Sequence, residues 1–468
     1  MTSSEIPNLS AIFADNSPAP QKELDKVPNL ARKLIGTTLK DLAAGEGGIF
    51  VYPRQDDKLP EDLKEKDFIL KSENGEVWTT NVVGFLGLGE ERLTIRSRFS
   101  SGERDYFFLY LLQKVLGLRI VNFDFGSTDD EIFSLLSLLF PLYLRRALSK
   151  GMYKEYIWRE YNDSSLRGRL DVMRFVKKDI PFEGDVAYSR TEYSFDNRVT
   201  ELIRSALERI AGQKEYSFLL EEAGEEAERV REATPSYSPL NTEGVITQNL
   251  RHPADNAFYD YRPLQKLSID ILQNRKSSWG NGTEEVYGVL FDCAWLWEEY
   301  VNLLIGEEFY HPKNKEGKGI QHMLYAADET AKKFSPIYPD FIRRRPPRTI
   351  ADAKYKPVEN IDPDDRLRMI GYLWRFDSMP GYFIFPEKEG EAKKDGLKWF
   401  KSEGFESKDF EDAKESSHER QGNLAMVACG VAIPQQAESY EVFSEKMAKA
   451  EREFKDRFLK RIANHGEC

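Results

Sequence analysis

The 468-residue chain predicts a mixed α/β protein, α+β overall: a β-rich N-terminal domain, a mainly helical middle region, and a C-terminal domain whose mixed sheet is flanked by helices. Three observations predict this. Between Gly45 and Arg98 short apolar runs (IFVYP, EVWTTNVVGFLGLG, RLTIRSRF) are separated by charged or glycine-containing turns, the pattern of strands. From Tyr106 the apolar spacing turns helical. Beyond residue 282 helical stretches alternate with strand-like ones, as in a sheet covered by helices.

Composition narrows the function classes. The length suits two or three domains, read as a polar tail and lead-in over 1–44, a β-rich domain over 45–127, a helical region over 128–282 and a last domain over 283–468. Hydrophobic residues at 40% and aromatics at 12% exclude a largely disordered chain, and the net charge of −12 confines any nucleic-acid contact to a local patch. Cys293, Cys429 and Cys468 are scattered without zinc spacing and suit a reducing cytoplasm; the five histidines form no close pair. Met1–Pro28 lacks the basic and apolar regions of a signal peptide. The most apolar run, Ile132–Tyr143, is too short and too interrupted to span a membrane and predicts a buried helix. The expectation is a cytoplasmic protein with no membrane partner.

In chain order, Gly84, Gly87 and Gly89 are spaced to tempt a phosphate-loop reading. No G-K-[S/T] follows, so strand and turn glycines are the better account, and no nucleotide is expected on this chain itself. Tyr106–Leu116 and Asp129–Lys150 read as helices. Ser165–Lys178 (SLRGRLDVMRFVKK) is a basic patch on an acidic protein. Its Arg167, Arg169 and Arg174 are candidates for a DNA phosphate or an acidic partner, against the plainer reading of a solvated strand edge. Tyr193–Ile210 carries Val199, Leu202, Ile203, Ala206, Leu207 and Ile210 on one stripe, with Ser194 or Asp196 as its cap. Glu221–Glu232 reads as an exposed acidic helix and Tyr261–Asn274 as another helix. The SSWGNG segment Ser277–Gly282 reads as a linker. Val286–Glu308 includes FDCAWLWEEYVNLLIGEE, read as a helix with Trp297, Val301 and Leu304 on an apolar face. Asp362–Phe376 is a further helix, Tyr382–Pro386 and Asn423–Pro434 are the last strands, and Glu387–Gly422 is an irregular insertion. Glu441–Ile462 closes the chain as a helix.

The chemistry concentrates in Tyr338–Lys356 (YPDFIRRRPPRTIADAKYK), read as two short strands, Pro339–Arg343 and Thr349–Tyr355, about a turn at Pro346 and Pro347. Asp340 and Asp352 lie symmetrically about that turn, so a hairpin sets two carboxylates side by side. Like charges in a cross-strand pair are destabilising, and a divalent cation with a taste for hard oxygens, Mg²⁺ or Mn²⁺, would relieve them. Period-2 alternation puts Lys354 on the same face as Asp352. Arg344 and Arg345 at the turn are further candidates for a phosphate or a partner. The plain alternative is a surface hairpin with an accidental acidic pair.

PD at Pro339–Asp340 followed by D-A-K at Asp352–Lys354 resembles the signature of PD-(D/E)xK restriction-endonuclease-like cores. Trp297-Glu298-Glu299-Tyr300-Val301 is similar to the glutamate-bearing helix of that superfamily, with Glu298 in the glutamate position. Together with G-R-L-D-V at Gly168–Val172 and Y-S-F-D-N at Tyr193–Asn197, the order resembles the McrC-like nuclease subunits of McrBC-type and LlaJI-like restriction systems from about Gly45 onward. The resemblance implies a Mg²⁺-dependent DNA endonuclease with Asp340, Asp352, Lys354 and Glu298 as its catalytic set. Asp340 and Asp352 would hold the metal, with Glu298 completing its shell directly or through water. It implies action on double-stranded, often cytosine-methylated DNA, together with an McrB-like AAA+ GTPase ring that the β-rich region contacts. Relatives often carry Gln and Tyr four residues apart on the helix after the hairpin. Here Tyr372 is present and Arg368 stands in place of the Gln, which leaves these two as auxiliary residues. Two other readings stay open: a stand-alone PD-(D/E)xK restriction or repair nuclease, and a non-catalytic adaptor regulating a ring NTPase.

Overall fold

The computed structural model describes residues 9–39, 41, 49–52, 68–102, 104–117, 128–214, 216–273, 286–312, 320–325, 333–346, 348–378, 380–391, 397–401 and 425–464. Its first strands are β1 Ser10–Ala14, β2 Ile49–Tyr52, β3 Leu70–Glu73, β4 Glu76–Thr79, β5 Val82–Leu88 and β6 Glu91–Arg96. An outlying three-stranded sheet follows: β7 Glu155–Asp163, β8 Arg169–Leu170 and β9 Val186–Ser194, in the order β7-β9-β8. Then β10, Tyr287–Asp292, returns to the beginning of the chain and completes a five-stranded sheet in the order β1-β6-β5-β10-β2.

Two expectations change here. Residues 10–34 are no loose lead-in: β1 runs parallel to β6, and the helices Gln21–Leu24 and Pro28–Leu34 bury Leu24, Leu30 and Leu34 against that sheet. SAIFA is too short, beside prolines and serines, to announce a strand. Likewise YGVLFD, whose last two residues were expected to open a helix, is β10. Having no polar face, it suits a central strand buried on both sides. In the β5–β10 pairing Gly84 lies opposite Leu290 and Gly288 opposite Leu86, both glycines at positive φ. A Cβ on Gly84 would meet the Val289 carbonyl oxygen at 2.1 Å, so this strand crossing admits only glycine. Residues on both sides of the expected boundary at 282 thus share one sheet.

The middle region is helical as expected. Helix Thr128–Leu148 buries Ile132 through Phe140 almost without interruption and packs with Tyr261–Gln273, which packs in turn with Arg198–Ala211. No helix among the described residues is long and apolar enough to cross a membrane. The stripe from Val199 to Ile210 is buried, but the helix starts later than the sequence suggested. β9 runs to Ser194, and Asn197 is the cap, accepting from the amides of Val199 and Thr200. Asp196 is instead engaged by Arg159 at 2.6 Å and Ser236 at 2.6 Å. The linker 277–282 lies outside the described residues.

The remaining strands are β11 Phe309–Tyr310, β12 Gln321–Tyr325, β13 Lys333–Ile337, β14 Phe341–Arg343, β15 Ile350–Ala353, β16 Gly381–Lys388, β17 Leu397–Lys401 and β18 Ala425–Ile433. β12 and β13 pair as a separate hairpin, and the others form a six-stranded sheet ordered β11-β14-β15-β16-β18-β17. It is mixed, as predicted: β15, β16 and β18 are parallel neighbours, while β14 and β17 pair antiparallel. Within the stretch expected as irregular insertion, β17 pairs with β18; most of that stretch lies outside the described residues. Helix Pro363–Phe376 covers one face through Met369, Tyr372 and Leu373. Helices Cys293–Ile305 and Tyr440–Asn464 cover the other, where Trp297, Phe454 and Phe458 meet Phe341, Tyr382 and Ile384.

Candidate active site

The hairpin forms at the expected place. β14 and β15 pair antiparallel with Phe341 opposite Ala351 and Ile342 opposite Ile350, so one step further Asp340 stands opposite Asp352. The strand pair closes on the Arg343 N–H to Thr349 carbonyl bond, and the Lys354 N–H donates to the Ile384 carbonyl of β16 at 2.8 Å. The lysine backbone is thereby fixed to the centre of the sheet.

The two carboxylates have different partners. Asp340 is half-buried and accepts from the Ala353 N–H at 2.8 Å. Asp352 is buried, and its Oδ2 lies 2.5 Å from the Lys354 Nζ. Burial, then the charges of Asp352 and Glu298, push the Asp340 carboxyl well above the usual carboxylate range, against the opposing pull of Lys354 and the Ala353 amide. Burial alone would depress the Lys354 ammonium. The carboxylates of Asp352, Asp340 and Asp365 outweigh it and hold the ammonium above its ordinary value. Lys354 therefore sits as a fixed cation among three carboxylates.

Glu298 reaches this cluster from helix Cys293–Ile305. The helix starts where β10 ends, with Asp292 capping it by accepting from the Trp295 amide at 2.9 Å. It is pinned to the site's sheet by the buried Trp297 indole, which donates to the Ile384 carbonyl at 3.1 Å, the acceptor that also holds the Lys354 amide. Glu298 and Lys354 are thus referenced to one peptide group of β16. On helix Pro363–Phe376, Tyr372 is buried, and burial followed by the charges of Asp352 and Asp340 pushes its phenol up. Arg368, one turn earlier, is mostly exposed, with a guanidinium 3.8 Å from Asp365.

Two residues that the sequence reading passed over belong to the cluster. Asp365 is buried and lies between two lysines, with Oδ1 3.3 Å from Lys354 Nζ and Oδ2 in contact with Lys356 Nζ. It also closes a capping box with Asp362. The D-P-D-D pattern signals that cap but gives no hint of the lysine contacts. His311 is buried, its Nδ1 2.8 Å from the Asp340 carbonyl oxygen and its Nε2 3.7 Å from Glu298 and 3.6 Å from Glu299. Burial lowers its pKa, but Glu299, the Asp340 carbonyl and Glu298 together raise it above the ordinary imidazole value. A lone histidine after a two-residue strand carries no sequence signal.

The candidate basic residues lie elsewhere. Arg344 and Arg345 are exposed at the hairpin turn, Arg344 over the Tyr310 ring at 5.8 Å. Arg167 and Arg169 are exposed on the outlying sheet. Arg174 is committed internally: it contacts Glu160 at 3.1 Å and donates to the Tyr161 carbonyl.

Among the described residues no group of three or more His, Cys, Asp or Glu side chains converges in the manner of a metal cluster. The oxygens of Asp340 and Asp352, with Glu298 close enough to perturb Asp340, nevertheless fit a hard divalent cation. They crowd negative charge that Lys354 and the Ala353 amide offset in part.

Residues 77–386 match the family model described as McrBC 5-methylcytosine restriction system component. The chain belongs to that family. The McrBC resemblance read from its motifs is borne out. Two solved structures from Thermococcus gammatolerans are similar. The first is a refined half-complex from a tetradecameric assembly of McrB AAA+ hexamers with bound McrC (15% identity, 96% of this chain and 99% of that chain, TM-score 0.47). The second is a cryo-EM structure of the McrBC complex (13% identity, 64% and 87%, TM-score 0.30). No curated protein sequence matches this chain.

Proposed function

We propose that this McrBC-family chain is the McrC-type nuclease subunit, an endodeoxyribonuclease of the PD-(D/E)xK class that hydrolyses phosphodiester bonds when assembled with an McrB-like AAA+ GTPase ring. The observation that carries the reading is the Asp340–Asp352 pair on neighbouring strands with Lys354 held 2.5 Å from Asp352. Mg²⁺ or Mn²⁺, held by Asp340, Asp352 and the Ala353 carbonyl with Glu298 directly or through water, would supply Lewis-acid polarisation of the phosphate. The chain's own residues do the rest. Lys354, buttressed by Asp352 and Asp365, orients the attacking water and faces the charge that develops on the phosphate. Arg368, exposed one helical turn from Tyr372, would meet a neighbouring phosphate.

The partner contact is assigned to surfaces away from the carboxylates: the β-rich N-terminal region and the outlying sheet. The latter exposes Tyr156 and Trp158, and the segments that connect its strands expose Leu166, Val172, Met173 and Phe182 along with Arg167. So many large apolar side chains exposed within one stretch of chain support that assignment. The sequence offers no nucleotide-binding motif, which suits a chain whose motor is a separate protein. The test is DNA cleavage by the full chain with its AAA+ partner, GTP and Mg²⁺, compared with Asp340→Asn. Cleavage by the wild type that is lost in the variant is the expected result. Equal cleavage by both refutes the assignment of the site, and cleavage without partner and GTP returns the stand-alone nuclease.

A further inference from the structure

The nuclease reading leaves one group unused, the buried imidazole between its two arms. β11 pairs antiparallel with β14, Tyr310 opposite Ile342, and one step further His311 falls opposite Phe341. Its ring stacks on that phenyl with centroids 4.9 Å apart and planes 28° from parallel. The side chain is 5% exposed. One nitrogen is 2.8 Å from the carbonyl oxygen of Asp340, and the opposite edge faces Glu298 and Glu299 at 3.7 and 3.6 Å. A carbonyl oxygen only accepts, so Nδ1 carries the proton in that bond. The ring thus spans the gap between helix Cys293–Ile305, which brings Glu298, and strand β14, which brings Asp340.

We propose that His311 is a positioning residue for the carboxylate site: it fixes the Asp340 backbone through Nδ1 and holds the glutamate-bearing helix at the distance that lets Glu298 and Asp340 serve one cation. This rests on the nuclease reading of the site. Nothing in the sequence pointed to it, because the pairing that delivers His311 is two residues long. Outer-shell partners that orient ligands in this way set metal affinity and activity by about 10- to 100-fold.

Two near-isosteric variants separate the ends of the ring. Asparagine can place its amide donor where Nδ1 stands and keep the bond to the Asp340 carbonyl. Glutamine places its amide at the Nε2 edge and gives that bond up. The probe is Mn²⁺ titrated into the full chain and followed by calorimetry, with cleavage by the assembled complex as a second readout and melting temperature as the folding control. His311→Ala and His311→Gln are expected to weaken Mn²⁺ binding by about 10- to 100-fold, and His311→Asn to recover a large part of that loss. Cleavage should follow the same order when Mn²⁺ is limiting and converge as Mn²⁺ is raised, a split that a merely structural defect would not produce. Wild-type Mn²⁺ affinity in His311→Gln, or His311→Asn no better than His311→Gln, overturns the proposal. Asp340→Asn runs alongside as the discriminating control. If it binds Mn²⁺ and cleaves as the wild type does, the nuclease reading itself has failed. If it is silent while the His311 series is flat, only the positioning role has.

Discussion

Removing the Lys354 ammonium tests the site most directly, because stability and catalysis should respond together. Asp352 and Asp365 have side chains only 8% and 4% exposed, and Lys354 lies 2.5 and 3.3 Å from them. Deleting one partner of a buried pair leaves an uncompensated charge and costs about 3–5 kcal/mol. Two features put Lys354→Met at the lower end, about 3 kcal/mol: the lysine is itself 17% exposed, and Lys356 remains on Asp365. Methionine keeps most of the packed stem, so the loss measures charge and not cavity. Urea unfolding followed by tryptophan fluorescence reads the stability term, since Trp297 lies in the adjoining core. Cleavage by the complex should fall by about 10²–10³, the cost of one lost transition-state contact, while GTP hydrolysis by the partner is retained. A variant that unfolds as the wild type does and cleaves at its rate would show that the D-A-K strand is not the centre of the chemistry. Lost GTPase stimulation would instead show that the nuclease and partner-contacting surfaces are not separable.

Two further predictions concern other parts of the molecule. Asp270 is buried on helix Tyr261–Gln273, and burial, against the weaker pull of Lys266, raises it from 3.8 to about 7. An aspartate raised in this way disfavours the fold progressively as pH climbs from 3.8 to about 7 and by a constant amount above. That gap corresponds to an order of about 4 kcal/mol at 1.36 kcal/mol per tenfold step. Asp270→Asn should therefore match the wild type near pH 4 and be more stable at pH 8; equal stability at both pH values would refute the assignment. The double variant Arg167→Ala with Arg169→Ala removes two exposed charges, so it should leave the melting temperature unchanged and weaken partner assembly several-fold, given exposed pairs of about 0.2–1 kcal/mol each. Unimpaired assembly in a binding titration would return those arginines to plain surface.

What the sequence made legible is what lies close together in it. Asp340, Asp352 and Lys354 fall within fifteen residues about one turn, so strand alternation and hairpin symmetry suffice to bring them together. The buried stripe of Arg198–Ala211 was legible for the same reason, since its period lies within one helix. The misses are long-range or short in extent. β1 and β10 lie far apart in sequence yet share one sheet, and β10 runs straight into the following helix, with Asp292 both the end of the one and the cap of the other. Asp365 meets Lys354 only because helix Pro363–Phe376 packs across β15, and His311 arrives through a two-residue pairing.

The same distinction bears on how the site is held. The residue after Lys354, Tyr355, turns away from the carboxylates into the N-terminal sheet. Its hydroxyl is 2.7 Å from Ser97 Oγ, and its ring lies under the Arg98 guanidinium, which also donates to the Tyr355 carbonyl. Arg98 in turn faces the buried Asp15 at the end of β1. The two residues that follow β15 are thus tied to two sheets: Lys354 is bonded to β16 of the sheet that bears the carboxylates, Tyr355 to Ser97 and Arg98 just past β6. A hinge between the sheets at this point would have to break buried polar bonds on Tyr355, each costing about 1–3 kcal/mol to leave unmade. The N-terminal sheet is therefore part of the scaffold that sets the D-A-K strand, and a partner that binds it has a direct mechanical route to the carboxylates.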